Sequence, residues 1–200
     1  MGIKPRLTYQ RARSSVILLT MAEFRRLLLL ILLVPVLFLP FSCSLHHKLS
    51  SGIPTGSSPE EESVRKKYAS FLGVEASEIN NLLLYRFIDS WTGTPYLYGG
   101  KTRNGIDCSG FTETLYKEVY NKVLKGSSQD LFLLVKPIAK EKLREGDLVF
   151  FKIESDKISH VGIFLMNNKF VHATVHRGVM ISDLGEAYYT KYFYKGGRLP

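Results

Sequence analysis

Cysteine is nearly absent from this chain: 200 residues carry two, Cys43 and Cys108. That excludes a scaffold stapled by several disulfides, and it excludes the closely paired thiols of structural zinc sites. Histidine is scarce too, limited to His46, His47, His160, His172 and His176. No internal repeat is visible, and no motif calls for a cofactor. The basic surplus is also smaller than it looks. Six of the 27 basic residues (Lys4, Arg6, Arg11, Arg13, Arg25 and Arg26) and one of the 18 acidic ones (Glu23) lie in residues 1–42. That leaves 21 against 17, a net of +4, too mild to argue for a nucleic-acid partner.

The N-terminus has the features of a leader. Met21 opens Met-Ala-Glu-Phe-Arg-Arg, and residues 27–41 follow without a single charge. An apolar run of about 15 residues, interrupted by Pro35 and Pro40, is short for a membrane span and fits a secretory signal. Met21 is the expected start, with residues 1–20 lying upstream of it. Cys43 follows Ser42 at the end of the run and resembles the lipid-attachment cysteine of a bacterial lipobox, although Pro40 stands where leucine is usual. Lipidation of Cys43 is the expectation, and an ordinary cleaved signal or an uncleaved anchor is the alternative. Two or more acyl chains suffice for stable membrane anchoring. Residues 43–59, rich in serine, glycine and proline, read as a flexible tether on which His46 and His47 are inert. Residues 60–200 are then one domain.

Within that domain Ser58-Pro59-Glu60-Glu61 is a helix start, with a capping serine and proline at the first helical position, and Gly73 is its stop. A second helix is expected from near Ser77-Glu78 to Trp91, and a third from Asp107-Cys108 to about Val123. The third would bury Phe111, Leu115, Val119 and Val123. Residues 124–145 are ambiguous. Strand-like runs follow at 148–151, 158–165, 169–175, 179–182 and 192–194, with Asp156-Lys157 and Asn167-Asn168 as hairpin loops. Helices first and an antiparallel sheet second make an α+β domain.

If Cys43 is lipidated, Cys108 is a lone thiol in an exported protein, and such a thiol is a candidate reactive group. Its place at a helix N-terminus favours the thiolate, since unpaired N–H groups there carry partial positive charge. An adjacent imidazolium would add to that effect, so the sulfur is expected to be ionised at rest. His160 and His172 sit on successive strands, equidistant from Met166, and a hairpin loop of three or five residues would set them side by side. Gly162, beside His160, would let the nucleophile helix approach closely. Cys108 would then be the nucleophile, His160 the base and His172 the residue that holds the base in its tautomer. The Cys108 backbone N–H and a tyrosine hydroxyl would serve as oxyanion donors. One alternative is zinc held by Cys108, His160 and His172, against which stands the 52-residue gap between the first two. His176 is spare and on the surface.

At these residues the chain resembles the NlpC-type cysteine peptidases of bacterial cell walls, a papain-like family. Five pieces occur in order: Thr94-Pro95-Tyr96-Leu97-Tyr98-Gly99-Gly100, Gly105-Ile106-Asp107-Cys108-Ser109-Gly110-Phe111, Gly146-Asp147-Leu148-Val149-Phe150-Phe151, Ser159-His160-Val161-Gly162-Ile163-Phe164 and Phe170-Val171-His172-Ala173. The resemblance covers about residues 78–200. It implies a papain-like fold with N-terminal helices on an antiparallel sheet, Cys108, His160 and His172 as the catalytic set, and Tyr96 as the hydroxyl assisting the oxyanion hole. It implies that Asp107 and Ser109 help shape the substrate site and that Ser127-Ser128-Gln129 is a loop flanking the cleft. The substrates it implies are peptidoglycan stem peptides, cleaved through a thioester at the cell envelope, with the protein an outer-membrane lipoprotein facing the periplasm. An acyltransferase or amidase on the same fold, or a non-catalytic wall-binding lipoprotein, are the rival readings.

Overall fold

The structure, a computed structural model, describes residues 58–200. The expected leader, Cys43 and the tether histidines His46 and His47 lie outside the described residues.

The first helix, α1 (Pro59–Leu72), starts and stops where the chain's local chemistry requires. Ser58 accepts the Glu61 N–H while the Glu61 carboxylate accepts the Ser58 N–H, both at 3.2 Å, and Gly73 closes the helix at φ 68°. Helix α2 (Leu82–Trp91) starts later than expected. A 3₁₀ turn, Ala76–Glu78, comes first, and Asn81 caps the helix by accepting the Leu84 N–H at 3.1 Å. Helix α3 (Cys108–Tyr120) ends three residues early, because Asn121 takes the left-handed conformation at φ 52°. Val123, expected in the buried stripe, is 71% exposed. The ambiguous stretch contains α4 (Ser128–Leu133) and a short strand, and α5 (Ala187–Tyr192) comes late in the chain.

A two-stranded ribbon, β1 (Lys101–Thr102) with β2 (Gly105–Ile106), precedes α3. The main sheet holds six antiparallel strands: β3 (Lys136–Ile138), β4 (Leu148–Phe151), β5 (His160–Phe164), β6 (Lys169–Thr174), β7 (Gly178–Asp183) and β8 (Phe193–Arg198). Their order is β3-β8-β4-β5-β6-β7, so the last strand of the chain enters between β3 and β4. Two glycines allow this. A Cβ on Gly197 would lie 2.3 Å from the Val135 side chain, and one on Gly196 would lie 2.7 Å from Leu143.

The central strands β4, β5 and β6 are buried on both faces. Leu148, Phe150, Val161, Ile163, Val171 and Ala173 pack with the helices α1 to α3, where Leu84, Ile88, Phe111 and Leu115 are fully buried. Val149, Phe151, Phe164 and Phe170 form a second cluster with Leu184 and Tyr189 on the other side. Alternation along the strands puts His160 and His172 on this second face, the side that carries Tyr189 of α5.

Candidate active site

Cys108 is the first residue of α3, and Asp107 is its cap. One Asp107 oxygen accepts the Gly110 N–H at 2.6 Å and the Ser109 hydroxyl at 3.0 Å. The other accepts the Gly99 N–H at 2.8 Å, which fastens the Tyr96 loop to the nucleophile's helix. The two residues implied to shape the substrate site are thus bonded to each other and to local backbone. Cys108 itself is 7% exposed. Backbone N–H groups of Val161, Ser109 and Cys108 face its sulfur and favour the anion, but burial outweighs them and pushes the thiol up to about 11. Desolvation thus works against the expected resting thiolate, in the opposite sense to the helix terminus.

The histidines meet as the hairpin geometry allows, but diagonally. Ile163 pairs with Val171 and Phe164 with Phe170, a register that places Gly162 across from His172 and His160 two residues further on. Asn167 and Asn168 turn the hairpin at φ 47° and 61°. The imidazoles join edge to face, with His160 Nε2 2.7 Å from His172 Nδ1. Gly162 serves this meeting rather than the helix approach expected of it. A Cβ there would lie 2.7 Å from Phe170 and 3.1 Å from the His172 Cβ. Burial pulls His160 down to about 4 and, together with the neighbouring His160, holds His172 well below the ordinary range, so both rings are neutral. Among the described residues no hydrogen bond joins the Cys108 sulfur to either ring. The sulfur meets the N–H of Val161, the residue after His160.

Two residues that sequence reasoning missed complete the buried cluster. His172 Nε2 lies 2.9 Å from the Ser182 hydroxyl and 3.3 Å from the Tyr189 hydroxyl, and Ser182 and Tyr189 are 3.4 Å apart. Ser182 comes from β7, opposite Phe170, and Tyr189 from α5. The sequence signal for Ser182 was a lone hydroxyl inside an apolar strand; Tyr189 gave none, because its helix was not foreseen.

Tyr96 bridges to Ile106 beside the ribbon and lines a cleft of ≈ 540 Å³ together with His160, His172, Arg177, Glu186 and Tyr188. Burial first, then the facing Cys108 and Asp107, push its hydroxyl up to about 12, so it stays protonated and able to donate. Gly178 fixes the same loop from behind. Its φ is 66°, and a Cβ there would lie 2.1 Å from the Thr94 carbonyl oxygen. His176 is exposed, as expected, and stands at the cleft rim. Ser127-Ser128-Gln129 is not a loop: Ser127 caps α4, and the buried Ser128 donates to the Ile158 carbonyl at 3.3 Å. Among the described residues no three His, Cys, Asp or Glu side chains are grouped to hold a metal ion.

The sequence profile of the NlpC/P60 family matches residues 93–198. A protein of Escherichia coli named probable endopeptidase NlpC is 42% identical over 113 residues, which is 56% of this chain and 73% of that protein. The Escherichia coli murein DD-endopeptidase MepS/murein LD-carboxypeptidase is 36% identical over 122 residues, 61% of this chain and 64% of that one. Among solved structures, an NlpC/P60 family protein from Bacillus cereus superposes with a TM-score of 0.54 at 28% identity, covering 60% of this chain and 41% of the other.

Proposed function

Because the chain belongs to the NlpC/P60 family, we propose that it is a cell-envelope cysteine peptidase hydrolysing amide bonds in peptidoglycan stem peptides. The observation that carries this reading is the buried hydrogen bond between His160 and His172 at a cleft that Tyr96 shares, with Cys108 opening a helix beside the Val161 N–H. The names of the two relatives, both endopeptidases, support the reaction, and the murein named for the second supports the substrate.

The chemistry runs from a neutral pair. His172 occupies His160 Nε2, which leaves His160 Nδ1 as the nitrogen that takes the Cys108 proton as the sulfur attacks the scissile carbonyl. The Cys108 N–H and the Tyr96 hydroxyl hold the oxyanion. Collapse of the tetrahedral adduct breaks the C–N bond, and His160 hands its proton to the departing amine. Water then attacks the thioester, gives its proton to His160, and the acid leaves as that proton returns to sulfur. Asp107 and Ser109 shape the site by clamping the Tyr96 loop beside the nucleophile. Residues 21–42 as an export signal, a lipid on Cys43 and residence at the outer membrane facing the periplasm complete the proposal. No helix among the described residues is long and apolar enough to cross a membrane.

Digestion of purified peptidoglycan with product masses tests it. The wild-type protein should release fragments carrying a new amine within the stem, and Cys108→Ala should release none while folding normally. Cleavage that persists in Cys108→Ala, or products cut only between sugar and peptide, would overturn it.

A further inference from the structure

Three neutral groups, not a carboxylate, stand behind the base. His160 touches His172, His172 touches Ser182 and Tyr189, and all four side chains are buried. A carboxylate in the place of Ser182 could only accept a proton and would dictate the tautomer of His172 by itself. A hydroxyl can donate or accept, so the polarity of this chain has to be set by its geometry.

Only one polarity is compatible with a base at His160. To accept the thiol proton at Nδ1, neutral His160 must carry its hydrogen on Nε2 and donate it to His172 Nδ1 across 2.7 Å. His172 then carries its own hydrogen on Nε2 and needs an acceptor there. Ser182 Oγ, at 2.9 Å, is the nearer of the two candidates, and its own proton goes to the Tyr189 oxygen at 3.4 Å, which leaves the Tyr189 proton for the cleft. Reversing the direction would end with a hydrogen on His160 Nδ1, and a ring protonated there cannot take one from sulfur.

We propose that Ser182 is a positioning residue of the peptidase reaction, an obligatory acceptor that fixes the tautomers of His172 and, through it, of His160. The inference rests on the cysteine-peptidase reading, but its test does not need the substrate. Without Ser182 Oγ, the Tyr189 hydroxyl at 3.3 Å is the remaining partner of His172 Nε2. It can donate to that nitrogen and invert the chain. Packing changes little, since only one oxygen is lost from β7.

The experiment follows alkylation of Cys108 by iodoacetamide at neutral pH in the full chain, comparing wild type with His160→Ala and Ser182→Ala. Ser182→Ala should slow alkylation to a rate between those of wild type and His160→Ala. It should lower kcat on peptidoglycan by roughly 10- to 100-fold with KM unchanged, by analogy with the loss when the partner orienting a metal-binding histidine is removed. Ser182→Thr should keep most of the wild-type rate, whereas Ser182→Val, equal to it in shape, should not. This pair decides the matter if Ser182→Ala fails to fold. Equal alkylation in wild type and Ser182→Ala, or in the threonine and valine variants, would overturn the proposal. Wild-type protein that leaves peptidoglycan intact yet shows the same alkylation pattern would overturn the substrate reading and leave the role of Ser182 standing.

Discussion

The Asp107 carboxylate accepts the Gly99 N–H at 2.8 Å while its other oxygen caps the helix that carries Cys108. One side chain thereby joins the nucleophile to the loop bearing Tyr96. Asp107→Ala should remove the cap, at about 0.5–2 kcal/mol of stability, and should lower kcat as well because Tyr96 loses its anchor. Denaturant unfolding and steady-state kinetics read the two effects separately. A variant that loses stability but keeps its kcat would show that Tyr96 is held by other contacts.

Replacing His160 with alanine should cost as much activity as replacing Cys108, since members of a catalytic unit are not additive. His172→Ala should be milder, because His160 keeps its ring and loses only its orientation. The comparison is made as kcat/KM on one muropeptide substrate, and an equal loss in both histidine variants would assign the base to His172.

The thiol should be protonated at neutral pH. Burial holds Cys108 up to about 11, so the ultraviolet absorbance of a thiolate, measured as wild type minus Cys108→Ala, should be missing near neutrality and grow as the pH approaches that value. Thiolate absorbance already present at neutral pH would mean that the N–H groups around the sulfur outweigh its burial.

Stability should fall on acidification. The folded state keeps His160 neutral down to about 4, whereas the unfolded chain takes up that proton near the ordinary 6.5. Between those values the unfolded state binds more protons, so stability rises with pH across the window and levels off above it. Thermal melting followed from pH 7 downward should show this fall, with a shallower slope in His160→Gln.

Gly178→Ala should destabilise the domain by about 1–3 kcal/mol, the range of other overpacked sites, because its Cβ would strike the Thr94 carbonyl at a positive φ. It should also reduce activity by moving the Tyr96 loop. A melting temperature equal to wild type would show that the loop yields freely.

Much of this molecule was legible in its residues. Ser58, Pro59 and Gly73 bounded α1 because caps act locally, and the short apolar run Leu148–Phe151 and the strand-like runs after it marked the sheet. Cys108, His160 and His172 stood out because each lies in a short segment of distinctive chemistry. What escaped depended on long-range neighbours. The end of α3 at Asn121 rests on one residue adopting a left-handed conformation, and Val123 was therefore placed in a core it does not reach. The diagonal meeting of the histidines follows from a hairpin centred on Asn167 rather than Met166. The upward push on the Cys108 thiol depends on how deeply tertiary packing covers it, and Ser182 and Tyr189 reach His172 only through the folded sheet.

The entry of β8 between β3 and β4 has a consequence for biogenesis. During synthesis β4 keeps one open edge until residues 193–198 emerge, and Phe151 on that edge stacks against the His160 ring at 5.8 Å. Contacts between distant parts of a chain are slow to form. Closure of this seam is thus a late event relative to the pairing of β4 with β5, and the floor beneath the His160 ring is completed only then.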